Sequence, residues 1–201
     1  MTQIVMSHFD SPIGRILAAS REGRIVKISL PSERHNSAFK WLRRQFPNDL
    51  LESGSAPELT RLFGQLADYF DRHLQQFDLP IETFGSDFQK NVWTALLNIP
   101  YGHVVSYGEL ARRLGKPVAA SRAIGSANGS NPIPIVVPCH RVVGHDGKLV
   151  GYGGGLETKA WLLRLEAQQE PLPFDGKWGV HDSADRTGIP GRLPPHSKAV
   201  G

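Results

Sequence analysis

The stretch SYGELARRLGKPVAASRAIGSA, residues 106–127, decides the fold of the second half of the chain. Ser106 followed by Glu109 three positions later is the capping-box pattern that begins a helix, and the apolar positions within 110–114 continue it. The sequence Gly-Lys-Pro at 115–117 ends this helix, and a second helix is predicted over about 118–127. Two short helices joined by a tight turn are typical of helix-turn-helix proteins, although many helical hairpins do not touch DNA.

Most side chains of the second helix are small, and Arg122 is its one long cationic side chain. A face without bulk can lie close to another helix or to a nucleic-acid groove, and Arg122 is either a phosphate contact or a solvated residue. Residues 86–166 hold nine Lys and Arg against five Asp and Glu, so the whole net charge of +4 lies in this segment. That excess fits a polyanionic partner and a solvated basic face equally well.

Cys139, the single cysteine of the chain, follows this helix in the run NPIPIVVPCHRVVG, residues 131–144. A thiolate is the reactive form of cysteine, and a neighbouring imidazole can lower its pKa from about 8.5 toward neutrality. A lone cysteine beside a histidine is nevertheless more often a buried, inert thiol. Further on, Tyr152 lies in the glycine run GYGGG at 151–155, which we interpret as a pocket wall. It is not a P-loop, because no Gly-Lys-Ser or Gly-Lys-Thr follows it.

Toward the N-terminus, short β-branched runs at 3–9, 14–19 and 24–30 predict an antiparallel meander, with helices over 37–46 and 57–75 covering one face. The prediction is therefore an α/β (α+β) chain of two domains, a small antiparallel sheet with helices followed by a mostly helical domain. We place the first domain at 1–80, a linker at 81–85, the second domain at 86–170 and a Pro/Gly-rich tail at 171–201. Phe174 and Trp178 are predicted to anchor the start of the tail.

Several classes of protein are excluded by composition. No apolar run approaches the ~18 residues of a membrane span, and the start of the sequence lacks the basic and apolar regions of a secretory signal. A single cysteine allows neither an internal disulfide framework nor a multi-cysteine zinc site. We therefore predict a cytoplasmic protein with no membrane partner, no metal and no cofactor.

The cysteine run and the later pattern GYxGGLxxKxWLLxxE, residues 151–166, together resemble the O6-alkylguanine-DNA alkyltransferases. The resemblance is close over 86–166, whereas residues before 86 resemble the family's RNase H-like N-terminal domain only in pattern. It implies DNA repair by direct damage reversal, in which O6-alkylguanine, and also O4-alkylthymine, is flipped out of the duplex. The alkyl group then passes irreversibly to cysteine in a single turnover, so the protein is a suicidal methyltransferase.

The resemblance also implies roles for individual residues. Cys139 would accept the alkyl group, His140 would act as base through a water, and Glu166 would orient that histidine. Asn131 would brace the turn that contains them, and Tyr107 would help to turn the nucleotide out and support proton transfer to the purine. Arg122 would fill the space left in the duplex.

The partner implied is double-stranded DNA, bound through the minor groove by a winged-helix-like helix-turn-helix. The protein is predicted to be a monomer, with cooperative binding along DNA left open. The residues that would contact DNA are Ser106, Tyr107, Arg122, Ala123 and Arg141, and those that would line the guanine pocket are Asn128, Val142, Tyr152 and Gly153. One extra residue between Tyr107 and Arg122, relative to the family spacing, leaves the register of the arginine open. Some relatives bind zinc through cysteines that are absent here.

Two other functions remain open from the sequence. A non-reacting DNA-binding module would sense alkylated bases without consuming Cys139, although the presence of the thiol argues against it. A hydrolase using Cys139, His140 and Glu166 would release its intermediate with water and turn over many times. Adjacent Cys and His side chains usually point apart, which is poor geometry for direct proton transfer. Turnover beyond one equivalent of substrate would separate a hydrolase from a single-use acceptor.

Overall fold

The computed structural model of this chain describes residues 2–33 and 36–167. The tail predicted at 171–201, with its anchors Phe174 and Trp178, lies outside the described residues.

The N-terminal half is built on the predicted meander. The strands β1 (Gln3–Ser11), β2 (Gly14–Arg21) and β3 (Arg24–Ser29) pair antiparallel in sequence order, which confirms that prediction. A fourth strand, β4 (Leu50–Ser53), adds parallel to β1 and gives the sheet order β3-β2-β1-β4. The sequence did not predict β4, because four largely exposed residues show no alternation of apolar and polar side chains.

Two helices pack on this sheet, α1 (Ser37–Gln45) and α2 (Pro57–Phe70). The prediction that both cover one face is wrong, because Leu42 of α1 packs with Ala19 on one face, whereas α2 packs with Ala18 on the opposite face. Apolar residues of α2 at spacings of three and four are fully buried, among them Leu59, Leu62 and Leu66. Burying each such side chain stabilises the fold by about 1.5–3 kcal/mol. The helix ends five residues before the predicted position 75, because Asp71 caps it and Arg72 takes a φ of 63°.

The C-terminal half, as far as residue 167, contains four α-helices and a small parallel sheet. Helix α3 (Asp87–Leu97) begins after Ser86, which makes both hydrogen bonds of a capping box with Gln89. Strand β5 (Val105–Ser106) leads into α4 (Tyr107–Arg113), and α5 (Ser121–Gly129) packs against α4. Strand β6 (Val142–Val143) pairs parallel with β5, and α6 (Leu156–Glu166) follows.

The second helix of the predicted helix-turn-helix is split. Val118–Ala120 form a 3-10 turn and α5 begins only at Ser121, so Arg122 is the second residue of α5. Pro117 caps the 3-10 turn, and its carbonyl accepts the Ala120 N–H at 2.9 Å.

The C-terminal half is hydrogen-bonded to β3, the edge strand of the sheet, and both halves contribute to one hydrophobic core. Ile28 N–H of β3 donates to Pro132 C=O at 2.9 Å, and Ile25 pairs with Ile81 in an isolated bridge. The predicted linker at 81–85 therefore begins with a residue bonded to β3. One cluster of buried residues runs from Ile16 of the sheet through Trp93 to Cys139. Across the described part of the chain, no helix is long and apolar enough to cross a membrane.

Candidate active site

Cys139 begins a 3-10 turn directly after Pro138 and is 4% exposed. The amide Nδ2 of Asn131 lies 3.1 Å from Cys139 Sγ and also donates to Val137 C=O at 2.8 Å. The other amide atom, Oδ1 of Asn131, accepts the Ile133 N–H at 3.0 Å. The side chain of Asn131 is thus held by the turn and in turn holds the sulfur, as the brace predicted for it would.

Burial dominates the protonation of this thiol. It raises the pKa of Cys139 to about 11, because a buried thiolate loses its hydration, although the hydrogen bond from Asn131 and the charges of Lys159 and Lys27 pull the pKa down. At neutral pH the sulfur therefore carries its proton. The chemistry of the site requires a base to remove it.

His140 is fully buried and bound to a carboxylate. Its Nε2 lies 2.8 Å from Oε1 of Glu166, which also accepts the Tyr69 hydroxyl at 2.7 Å. Burial lowers the pKa of His140 despite the neighbouring Glu166, so the imidazole is neutral at pH 7. With Nε2–H donating to Glu166, Nδ1 is the free acceptor, and it has no hydrogen-bond partner among the described residues.

Glu166 remains ionised in spite of its burial. Burial raises the pKa of this carboxyl, but the charges and hydrogen bonds of His140 and Arg141 outweigh it and hold the pKa well below its ordinary range. The two oxygens of Glu166 accept hydrogen bonds from Arg141, Oε2 from Nε at 2.9 Å and Oε1 from Nη2 at 3.0 Å, and so form a bidentate ion pair.

The prediction that Arg141 contacts DNA is wrong. Its side chain is 7% exposed, and its third nitrogen, Nη1, donates to Ile99 C=O at 2.6 Å. A buried guanidinium whose three nitrogens all donate inside the protein is not available at the surface to a phosphate. Arg141 instead neutralises Glu166 and ties the cysteine turn to the end of α3.

The other residues predicted to contact DNA lie at the surface of the α4–α5 pair. Arg122 and Ala123 are exposed at the start of α5, and Ser106 caps α4 by accepting the Glu109 N–H at 3.1 Å. The ring of Tyr107 packs beside Gly125 of α5, where an added Cβ would lie 3.6 Å from the ring. At Gly125, the absence of a side chain thus lets α5 lie close to α4.

Asn128 connects Tyr107 to the cysteine turn. Its Nδ2 donates to Cys139 C=O at 3.2 Å and lies 3.4 Å from the Tyr107 hydroxyl. Burial raises the pKa of Tyr107, so this phenol keeps its proton at neutral pH. The structure therefore brings the predicted Tyr107, Asn128 and Cys139 together.

A cavity of about 530 Å³ opens onto the thiol. Cys139, Asn128, Tyr152 and Gly153 line it, in agreement with the positions predicted for a pocket. Two polar atoms of this wall, Tyr152 Oη and Asn128 Oδ1, are buried without a hydrogen-bond partner among the described residues. Burial also raises the pKa of Tyr152 well above its ordinary value, so its hydroxyl remains a donor.

Val142, also predicted to line the pocket, is fully buried in β6 and is not among the residues that line this cavity. Its carbonyl accepts Lys159 Nζ at 2.6 Å, and Lys159 also donates to Val150 C=O at 2.8 Å. Burial lowers the pKa of Lys159 to about 8. Among residues 2–33 and 36–167, no group of three or more His, Cys, Asp or Glu side chains is close enough to hold a metal ion.

Sequence reasoning missed two members of this site, Lys159 and Tyr69. For Lys159 a signal existed, since Leu162 and Leu163 follow at helical spacings of three and four and place the lysine on the apolar face of α6. Tyr69 offers no such signal. It lies three residues after Leu66 on the apolar face of α2 and reads as an ordinary core residue, 97 residues away from Glu166.

The raised thiol pKa leads to a prediction for the free protein. The rate at which Cys139 reacts with a small neutral alkylating reagent should rise about tenfold per pH unit from pH 6.5 to 9, because the thiolate fraction does so below the pKa. The measurement is the modified fraction of the Cys139 peptide against time. A rate that levels off below pH 8.5 would contradict the buried, protonated thiol.

The fold and the site together define a class of protein. A buried thiol opens onto a cavity beside a helix-turn-helix, and the next residue is a neutral histidine bound to an ionised carboxylate. This arrangement is typical of a site for cysteine-dependent group transfer. A family model described as "6-O-methylguanine DNA methyltransferase, DNA binding domain" matches residues 87–168. A second, described as "6-O-methylguanine DNA methyltransferase, ribonuclease-like domain", matches residues 4–83.

Similar proteins support the same assignment. The chain is 54% identical to a methylated-DNA–protein-cysteine methyltransferase of Salmonella typhimurium over 83% of this chain and 97% of that protein. It is 44% identical to one of Mycolicibacterium paratuberculosis, over 81% and 92% of the two chains. A crystal structure of Mycobacterium tuberculosis OGT in complex with DNA superposes with a TM-score of 0.70 at 39% identity, covering 84% of this chain and 95% of that one. The chain belongs to the 6-O-methylguanine DNA methyltransferase family.

Proposed function

We propose that this protein repairs DNA by moving the alkyl group from O6 of a guanine onto Sγ of Cys139. An S–C bond forms as the O6–C bond breaks, the thiol loses its proton, and the guanine gains one to leave unmodified. The observation that carries the proposal is the thiol of Cys139 at the wall of a cavity where two polar atoms, Tyr152 Oη and Asn128 Oδ1, have no hydrogen-bond partner among the described residues. A soft sulfur nucleophile attacks saturated carbon well.

His140 is proposed as the base. A thiol with a pKa of about 11 is almost fully protonated at neutral pH, so attack requires removal of its proton. The unpartnered Nδ1 of the neutral imidazole is the acceptor, reached through a water because Cys139 and His140 are adjacent in the chain. Glu166 fixes the tautomer that leaves Nδ1 free and stabilises the imidazolium that forms.

The unpartnered polar atoms of the cavity are proposed to bind the guanine. Buried hydroxyls and amide oxygens without hydrogen-bond partners are rare in proteins, and hydrogen bonds to a bound base would explain both atoms. The Tyr152 hydroxyl is a donor, whereas Asn128 Oδ1 is an acceptor, so together they can read a base that offers both functions. Gly153 lets the backbone approach the base closely. Tyr107, bonded to Asn128, supports proton transfer to the purine.

DNA is proposed to bind across α4 and α5. The target oxygen is inaccessible inside stacked, paired DNA, so the nucleotide must leave the duplex before it reaches the cavity. Arg122 and Ala123, exposed at the start of α5, are placed to enter the minor groove, with Arg122 filling the gap. Ser106 and Tyr107 at the start of α4 are the neighbouring contacts.

Further parts of the proposal concern substrate range and setting. We extend the substrates to O4-alkylthymine and regard the protein as a monomer with the domain limits 1–80 and 86–170. We place it in the cytoplasm, because a single-use thiol must stay reduced until it meets its lesion.

A count of turnovers tests the proposal against hydrolysis. With duplex O6-methylguanine in tenfold molar excess, restored guanine should stop at one equivalent per protein, because a thioether is not released by water. Continued turnover would favour the hydrolase. Lesion binding without any guanine formed would favour the non-reacting module.

Arg122→Ala tests the extrusion step. Repair of the duplex should slow by about tenfold or more while reaction with the free base O6-benzylguanine stays within about twofold, because only the duplex pays the cost of opening a base pair. Arg164→Ala is the matched control, since it removes the same charge from an exposed position on α6. Equal losses on duplex and free base in Arg122→Ala would contradict this role.

A further inference from the structure

Lys27 is a buried lysine in the middle of β3, between Val26 and Ile28. Its side chain is 8% exposed, and Nζ lies 3.3 and 3.5 Å from the two carboxylate oxygens of Glu33. A buried lysine is costly unless it is paired, and Glu33 provides the pairing.

Glu33 is held rigidly around that charge. Its carboxylate also accepts the Ser29 hydroxyl at 2.7 Å, the Leu30 N–H at 3.1 Å and the Ser37 hydroxyl at 3.2 Å. These bonds tie β3 to the first residue of α1. The ion pair therefore has a fixed position in the N-terminal domain, unlike an exposed pair on long mobile side chains.

The pair faces the reacting sulfur across the cavity. Lys27 and Glu33 line the same cavity as Cys139. The backbone fixes the separation, because Ile28 of β3 donates to Pro132 C=O at 2.9 Å and the preceding Asn131 holds Cys139 Sγ at 3.1 Å. A charge on β3 can therefore act on the thiol across this cavity.

The C-terminal domain surrounds the sulfur with several other titratable or charged groups. They are Tyr107 of α4, His140 and Arg141 of the cysteine turn, Tyr152 of the glycine run, and Lys159 and Glu166 of α6. Lys159 lowers the pKa of Cys139 more than Lys27 does, and Glu33 raises the pKa of Tyr152. Lys159 is bound to two backbone carbonyls and cannot be altered without disturbing the cysteine turn. Lys27 and Glu33 act from the other domain.

We propose that Lys27 and Glu33 are positioning residues of the N-terminal domain that set the nucleophilicity of Cys139 in opposite directions. The positive charge of Lys27 favours the thiolate, and the negative charge of Glu33 limits that effect. The N-terminal domain thereby takes part in the reaction without touching the lesion. The importance of the pair for repair rests on the proposed function, whereas its effect on the thiol does not.

The test is the rate at which Cys139 reacts with iodoacetamide, without DNA, in Lys27→Gln and Glu33→Gln proteins. A change of about half a pKa unit alters the thiolate fraction about threefold, and the compensating change in thiolate nucleophilicity reduces this to about twofold in rate. Lys27→Gln should react about twofold more slowly than wild type, and Glu33→Gln about twofold faster. The ratio of each variant's rate to the wild-type rate should be the same at every pH from 7 to 9.

An exposed ion pair provides the matched control. Lys148 and Asp146 lie on the turn after β6, with side chains 77% and 38% exposed. Lys148→Gln and Asp146→Asn make the same two changes of charge and should leave the rate unchanged. A thermal melt of each variant checks that it is folded at the assay temperature.

The opposite signs exclude a merely structural role. Loosening of the domain would change both rates in the same direction, so two faster or two slower variants would overturn the proposal, as would two unchanged rates. Single-turnover repair of methylated duplex by the same variants should follow the same order. If the iodoacetamide rates diverge as expected but no protein takes up a methyl group from DNA, the proposed function fails while the role of the pair in thiol reactivity survives.

Discussion

Glu166→Gln is expected to lower the free energy of unfolding by about 3–5 kcal/mol, the usual cost of breaking a buried ion pair from one side. The substitution keeps the volume of the side chain but leaves the charge of Arg141 buried without its counterion. It also weakens the acceptor that His140 and Tyr69 share at Oε1. Urea unfolding followed by tryptophan fluorescence measures the loss.

The same substitution should slow alkyl transfer by at least about a hundredfold in protein that remains folded, since general base catalysis contributes about 10²–10⁴. A neutral amide no longer selects the imidazole tautomer that leaves Nδ1 free, and it stabilises no imidazolium. Glu157→Gln is the control on the same helix, where the side chain is exposed and the stability change should stay below about 1 kcal/mol. Equal stability of the two variants would contradict the buried network.

Low pH should also lower the free energy of unfolding, because it protonates Glu166 in the buried network with His140 and Arg141. The pKa of Glu166 lies below its ordinary value in the folded protein, so its ionisation stabilises the fold at pH values above the unfolded pKa. That contribution is lost as the pH falls through the folded value.

The sequence predicted local elements well where short-range signals were strong. The start of α4 at Ser106 and the meander of β1 to β3 both follow from caps, turns and periodicity within a few residues. Strand β4 was missed because its pairing with β1 depends on a partner about 47 residues away and not on its own pattern.

The site was predictable in part. Cys139, Asn131 and Tyr152 could be named because they lie in two distinctive runs of sequence, 131–144 and 151–166. The interior position of Arg141 could not, because an arginine in a basic segment resembles a phosphate contact until its carboxylate partner 25 residues away is known. Tyr69 and Lys27 reach the site from the other domain, through contacts that no local pattern records.

Cys139→Ser is expected to abolish alkyl uptake while leaving the fold and DNA binding close to those of wild type. The chain has a single cysteine, so no second thiol can replace it. Serine keeps a small acceptor beside Asn131 Nδ2, so the turn retains its hydrogen bond. A hydroxyl is a far weaker nucleophile than a thiolate, and His140 does not activate it enough to compensate. Affinity for duplex containing O6-methylguanine should stay within about threefold of wild type.

The intact mass of the protein after mixing with an excess of duplex O6-methylguanine tests the central claim most directly. Wild-type protein should gain the mass of one methyl group, located on the peptide containing Cys139, and no more at longer times. The Cys139→Ser protein, treated identically, should keep its mass. An unchanged mass in folded wild-type protein, or a methyl group on any other residue, would contradict the assignment of Cys139 as the alkyl acceptor.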